Sequence, residues 1–351
     1  CSRWKGETMA NIREIAALAG VSRGTVDRAL NHRPGVNPET ADEICKIAAS
    51  LGYHPNVAGK LLAAQKKVLR LAFIILETPD NVFFDDIRLA AISKAENLKP
   101  FGVEVLFFSI TAFSDAFFAD LFSRVEAANV DGIAIAPIAV KPITEFVRKM
   151  SEQKMPMVFF NVDEPSAQRL CYVGCDYVRA GRVAAGLTAL CTAGRGTVGL
   201  VTLGDSHNQS YNDRVSGFTA ELAGRYPNLA LYGGGAPITF QHHDHENVRQ
   251  TIRNHPEINA VYVVNLGDFS VCETARKAAE GRTLNIITND LVPVQRQMLR
   301  EGVISATLAQ QPELQGALPL EILYEYLVFG SLPKQDVCHT KLDIFIGQNL
   351  S

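Results

Sequence analysis

The stretch SRGTVDRALN, residues 22–31, places two arginines and an aspartate at spacings that bear on nucleic-acid chemistry. Val26, Ala29 and Leu30 recur at helical spacing, which leaves Arg23, Gly24, Asp27 and Arg28 on the opposite face of one short helix. Guanidinium groups donate to phosphates or to guanine, whereas a carboxylate between them repels phosphate. Asp27 can instead pair with Arg23, one helical turn away, and aim that guanidinium at a groove, or accept from a cytosine amino group. Of these two roles, orientation of Arg23 is the favoured reading.

Other reactive clusters carry less. QHHDHE, residues 241–246, sits ahead of a helical NVRQTIRN, where a polar loop with a helix cap is expected, and adjacent histidines do not easily face one ion. No metal is expected there. GGG at 233–235 lacks the Lys-Ser/Thr of a P-loop, and CYVGC has no second pair for zinc. The seven cysteines (Cys1, Cys45, Cys171, Cys175, Cys191, Cys272, Cys338) fall mostly within apolar runs and read as reduced core residues. No arrangement nominates a nucleophile, so neither catalysis nor a cofactor is expected.

The basic helix needs neighbours to hold it. Upstream, Asn11 and Glu14 form a capping-box pattern, Ile12, Ile15 and Ala16 line one face, and Gly20 suits a helix stop. Ser22 caps the next helix at once, so AGVS is a tight turn between two short helices. A third helix follows Asn37 and Pro38, with Ile44, Ile47, Ala48 and Leu51 as its stripe and Gly52 as its end. This order describes a helix-turn-helix or, alternatively, a three-helix bundle for protein contacts. Residues 9–67 carry eight Lys/Arg against five Asp/Glu, a basic module in a chain of net charge -3. GYHPNVAGKLLAAQKK then offers a short helix that Gly59 makes marginal unless something holds it.

NIREIAALAGVSRGTVDRALN, VNPET, LGYHPN and AGKLL together resemble the head of the lactose-repressor (LacI/GalR) family of bacterial transcription regulators. The resemblance implies groove-facing positions for Arg23, Gly24 and Arg28, and phosphate-side positions for Ser22, Thr25 and Asn31. It also implies a hinge leucine, Leu62, that wedges into the minor groove; Asp27, Asn56 and Lys60 are expected at the same DNA interface. Two residues depart from the pattern: Asp27 stands where a serine is usual, and Gly59 where alanine is usual.

From Val68 onward apolar runs alternate with amphipathic helices. LRLAFIIL, VEVLFFSI, VDGIAIAPI, MPMVFFNV, LCYVG, GTVGLVTL, INAVYVVN, LNIITND and ISATLAQ read as strands. Continuous apolar strands separated by helices imply parallel sheets covered on both faces, and their number implies two lobes. The strand ends are polar or aromatic (PDNVFF, NVDE, LGDS, VNLGD, TND, QQP), as expected where ligands bind beyond the carboxyl ends.

This body resembles the periplasmic-binding-protein-like effector domain of the same repressors, closest in detail to the ribose-binding branch, over residues 69–347. The resemblance implies ligand contacts by Asn81, Phe83 and Phe84, with a ring stacked on a sugar, and by Asp163, Arg214, Asn265, Asp290 and Gln310. Glu164 departs from the pattern, which often has arginine beside that aspartate.

The fold expected is a small all-α helix-turn-helix head plus an α/β body of two doubly wound parallel-sheet lobes around a ligand cleft. The expected units are an extension at 1–8, a head at 9–55, a hinge helix and linker at 56–67, and the body at 68–351. Within the body, 68–174 and 304–333 are assigned to the first lobe, 175–303 and 334–351 to the second. The function expected is a cytoplasmic, homodimeric repressor. Its partners would be a near-palindromic double-stranded DNA operator and a neutral sugar or polyol. An exported sugar-binding protein is the alternative, although CSRWKGET ahead of Met9 has no apolar segment. No run reaches the roughly 18–20 apolar residues of a membrane span.

Overall fold

The computed structural model describes residues 12–30, 35–51, 68–77, 82–204, 209–265 and 267–350. The expected extension at 1–8 and the hinge at 56–67 lie outside these residues. The head comprises α1 (Ile12–Leu18), α2 (Arg23–Leu30) and α3 (Pro38–Ser50). Gly20, at φ 64°, turns the chain so that the Val21 N–H reaches the Ala16 carbonyl at 3.0 Å and ends α1. Ser22 Oγ accepts the Thr25 N–H at 3.1 Å, and Asn37 Oδ1 accepts that of Glu39 at 3.0 Å, so both later helices are capped. Ile15, Val26 and Ile44 are fully buried and meet at the centre of the three helices.

The body runs β1 (Leu69–Leu76), α4 (Phe83–Leu98), β2 (Val103–Ile110), α5 (Asp115–Ala127), β3 (Gly132–Ile135), α6 (Lys141–Glu152), β4 (Met157–Phe160) and β5 (Cys171–Gly174). It continues with α7 (Tyr177–Cys191), β6 (Gly196–Leu203), α8 (Gln209–Arg225), β7 (Leu229–Leu231), β8 (Ile238–Phe240), α9 (Glu246–Asn254) and β9 (Ile258–Asn265). Then follow α10 (Ser270–Ala278), β10 (Asn285–Asn289), α11 (Pro293–Arg300), β11 (Ala306–Ala309), α12 (Pro312–Phe329), β12 (Val337–His339) and β13 (Asp343–Phe345). The first sheet has the order β12-β5-β4-β3-β1-β2 and is parallel throughout. The second is β13-β11-β10-β9-β6-β7, with only β13 antiparallel, and β8 pairs with β6 beyond β7. In β1, Leu71, Phe73 and Ile75 pack on one face while Ala72 and Ile74 pack on the other. Both faces are therefore core, which is why such strands read as unbroken apolar runs.

The lobe boundaries need correction. β11, assigned above to the first lobe, pairs with β10 in the second sheet. β12, assigned to the second lobe, pairs with β5 in the first. The chain thus crosses between lobes three times: after β5, after β11 and after β12. The number of crossings is as expected, but the second and third fall later than placed, because β11, β12 and β13 are only three or four residues long, too short for a periodic signal. β7 and β8 are equally short and share one edge of β6, and the GGG stretch between them supplies positive φ at Gly233 and Gly234. The core reading of the cysteines fits Cys171, Cys175 and Cys272, but Cys45 and Cys338 are only partly buried, Cys191 is exposed and Cys1 lies outside the described residues.

QHHDHE forms a loop pinned by Asp268. That carboxylate accepts the His243 N–H at 2.9 Å and the Ser270 N–H at 3.1 Å, and meets His245 Nε2 at 3.0 Å. Burial opposes its charge, yet these bonds hold it down at about 2. A lowered carboxylate stabilises the fold above its unfolded value, and that contribution disappears as pH falls through the folded one. Asp268→Asn should therefore lower the melting temperature at neutral pH, and its deficit against the parent should close between about pH 4 and pH 2. A deficit independent of pH in thermal melts would assign the loss to shape rather than charge.

Candidate functional site

The carboxyl ends of both sheets converge on a cavity of about 470 Å³ between the lobes. Leu76, Pro137 and Asn161 reach it from the ends of β1, β3 and β4, and Val264, Asp290 and Gln310 from β9, β10 and β11. Phe83 and Phe84 enter from the first turn of α4, their rings edge to face at 5.7 Å. Asp163, Glu164, Tyr177, Gln209, Ser210 and Arg214 complete the polar lining.

Of the ligand residues expected from sequence, Phe83, Phe84, Asp163, Arg214, Asp290 and Gln310 are thus brought to one cavity. Asn81 lies outside the described residues, and Asn265 ends β9 with its side chain outside them.

The electrostatics pair each cation with a carboxylate. Arg169 grips Asp163 with two bonds of 2.6 Å, Nε to Oδ1 and Nη2 to Oδ2, which raises the arginine's already high value. Glu164 instead turns its carboxylate onto Ser166. Arg214 is buried, with its guanidinium 4.7 Å from the Tyr177 ring centroid. Burial opposes its charge, but the facing Tyr262 hydroxyl and Asp290 carboxyl keep it above the ordinary guanidinium value. Asp290 is pushed above the usual carboxylate range by burial, while Arg214 and a 2.6 Å bond from Gln310 Nε2 pull against that shift.

Two buried atoms have no hydrogen-bond partner among the described residues at this site: Arg214 Nε, a donor, and Gln310 Oε1, an acceptor. A buried polar atom left unpaired costs about 1–3 kcal/mol, so both favour a polar occupant. Backbone conformation adds to this: Asn161 (φ 61°), Asp290 (φ 70°) and Gln311 (φ 51°) are left-handed just past their strands. Such geometry costs about 1–3 kcal/mol per residue and persists where surroundings enforce it. Asn161 is held by the hydroxyls of Tyr172 (2.9 Å) and Tyr177 (2.7 Å), which donate to its carbonyl, and its Nδ2 donates to Gln315.

Sequence reasoning missed Asn161, Arg169 and Tyr177. Asn161 opens the NVDE strand end and could have been named from that position alone. Arg169 and Tyr177 lie in no motif.

In the head, Arg23, Gly24 and Arg28 are exposed on α2, and Asp27 is half-buried beside them. Ser22 and Thr25 join through their hydroxyls at 2.9 Å where α2 begins. Asn31, Asn56, Lys60 and Leu62 lie outside the described residues.

The periplasmic binding protein domain family matches residues 71–331, most of the chain. The chain belongs to that family. The head of this periplasmic-binding-protein-family chain matches the bacterial regulatory proteins of the lacI family over residues 11–56. It is 31% identical to the sucrose operon repressor of Escherichia coli over 137 residues, 39% of this chain and 40% of that protein. The match thus spans less than half of that relative's length. It is 23% identical to the ribose import binding protein RbsB of Salmonella typhimurium, over 71% of this chain and 82% of that protein. Among solved structures, the glucose-galactose binding protein GanP of Geobacillus stearothermophilus superposes with a TM-score of 0.67. Its identity is 22%, over 81% of this chain and 99% of that one.

Proposed function

We propose that the protein is a cytoplasmic DNA-binding transcription repressor whose operator affinity is set by a neutral sugar or polyol held between its lobes. One observation carries the ligand class: Arg214 Nε and Gln310 Oε1 are buried without a partner among the described residues, in side chains that line the same cavity as Phe83 and Phe84. A hydroxyl both donates and accepts, so adjacent hydroxyls satisfy the two atoms while the apolar face of a sugar ring lies on an aromatic ring. Because Arg169 is taken by Asp163 and Arg214 faces Asp290, little positive charge is left for an anionic ligand. Phe83, Phe84, Asp163, Arg214, Asn265, Asp290 and Gln310 are the proposed contacts, with Asn81 beside them.

The lacI-family head supports the DNA half of the reading. A homodimer would set two α2 helices in successive major grooves of a near-palindromic operator, with Asp27 steadying Arg23. Effector binding would change the lobe angle and with it the spacing of the paired hinges. An exported binding protein would have no use for such a head.

Thermal-shift screening of the full-length protein against neutral sugars and polyols should give a hit. That compound should then alter a gel shift with DNA from upstream of the protein's own gene. Failure to shift any such DNA, with or without sugars, would sink the repressor reading. In the same assay Asp27→Ser should broaden sequence preference; unchanged preference would reduce Asp27 to a tolerated surface residue.

A further inference from the structure

Two thiols outside the cleft are in contact across neighbouring strands. Cys171 Sγ donates to Cys338 Sγ at 3.4 Å, Cys171 in β5 and Cys338 in β12. The register pairs Cys338 with Val173, so Cys171, two residues earlier, lies on the same face of the sheet and diagonal to it. Packing agrees: Cys171, Val173 and Cys338 all join the core on the α4 and α12 side, whereas Tyr172 and Val337 join the other. Both sulfurs are free.

We infer that Cys171 and Cys338 are a modification site, a thiol pair that a peroxide converts reversibly into a disulfide which alters the ligand cleft. Cys338 is half-exposed on an edge strand and meets the oxidant first. Its thiolate attacks hydrogen peroxide and becomes a sulfenic acid as the O–O bond breaks and hydroxide leaves, which a proton converts to water. The Cys171 sulfur then displaces hydroxide from that sulfenic acid, loses its own proton and forms the S–S bond with a second water. The sum is two thiols and one peroxide giving one disulfide and two waters. Burial and the neighbouring thiol push Cys171 up to about 12, so the partly exposed Cys338 and not Cys171 is the group that meets the peroxide.

A disulfide needs an S–S distance of about 2.05 Å, so the sulfurs must close by roughly 1.4 Å. β5 is central in its sheet, and β12 is a three-residue edge strand, so β12 is the element that yields. Both run toward the cleft, and the diagonal draws Cys338 back along β5. Two cleft contacts depend on the present position of β12. Arg169, which grips Asp163, also donates to the Asp336 carbonyl at 3.1 Å just before the strand. Gln311 Oε1 accepts the Lys341 N–H at 2.9 Å just after it, beside Gln310. Sliding β12 strains both.

The test treats folded full-length protein with hydrogen peroxide, blocks remaining thiols, unfolds it and maps peptides. A disulfide-linked peptide pair containing Cys171 and Cys338, lost on adding dithiothreitol and missing in Cys338→Ser and Cys171→Ala, is expected. Should buried Cys171→Ala fold poorly, Cys338→Ser on the edge strand carries the control. Amide exchange of peptides covering 161–169 and 310–313 should rise on oxidation and stay unchanged in Cys338→Ser, a readout that needs no ligand. Free Cys171 and Cys338 in a sample whose exposed Cys191 is oxidised would overturn the inference. So would linkage of Cys338 to another cysteine, or a disulfide that leaves both exchange patterns unchanged.

Discussion

Arg214→Met is expected to weaken sugar binding by roughly a hundredfold or more and to leave thermal stability close to that of the parent. The binding loss follows from charge-assisted hydrogen bonds, each worth about 1.5–3 kcal/mol; two of them amount to roughly a hundredfold or more in affinity. The small effect on stability follows from the site itself. A buried guanidinium pays a desolvation cost that an apolar side chain of similar length avoids, while methionine still covers the Tyr177 ring. Asp290, already pushed up by burial, loses in Arg214 one of the two influences that hold it down, so its value moves further up in the variant. Calorimetric titration with the thermal-shift hit, beside a melt of the free variant, measures both quantities. Unchanged affinity in a folded variant would mean that the cavity is not the effector site.

Gly217→Ala costs about 2–3 kcal/mol of stability and weakens ligand binding as well. A Cβ on Gly217 would lie 2.0 Å from the Val178 carbonyl oxygen, and one on Gly181 would lie 2.0 Å from that of Arg214. The backbones of α7 and α8 therefore touch at two glycines, each within one turn of a cleft residue: Tyr177 before Gly181, Arg214 before Gly217. An added methyl group must push the helices apart and lift the guanidinium from its ring. Gly224→Ala on the same helix is the control, because nothing lies within 4 Å of its Cβ and alanine favours a helix by about 1 kcal/mol. Denaturant unfolding of the two variants should move in opposite directions; parallel shifts would remove the helix-contact explanation.

Long elements were legible because their burial is written in periodicity. β1, β2, β6 and β9 run eight residues each with apolar side chains on both faces, and their helices show a contrasting stripe. The cleft was legible to the extent that parallel strands place their carboxyl ends together, so that naming the ends named much of the lining. Arg169 was not, since what selects it is a bidentate fit to Asp163 that exists only in three dimensions. The same holds for Gly181 and Gly217, whose meaning lies in a helix contact rather than a turn. The exchange of β12 between lobes was hidden too, because its pairing with β5, 165 residues earlier, leaves no local trace.

That exchange bears on how the molecule comes into being. A growing chain that has emerged only as far as α12 has no edge strand to lay beside β5 and no antiparallel strand to close beside β11. The β12–β5 pairing, 165 residues apart, carries a loop-closure cost and forms late. Neither lobe can therefore be finished first and left to wait, as domains made in succession can. Both edges stay open until β12 and β13 have been made, and a ribosome stalled near residue 330 would release a chain incomplete in both halves at once.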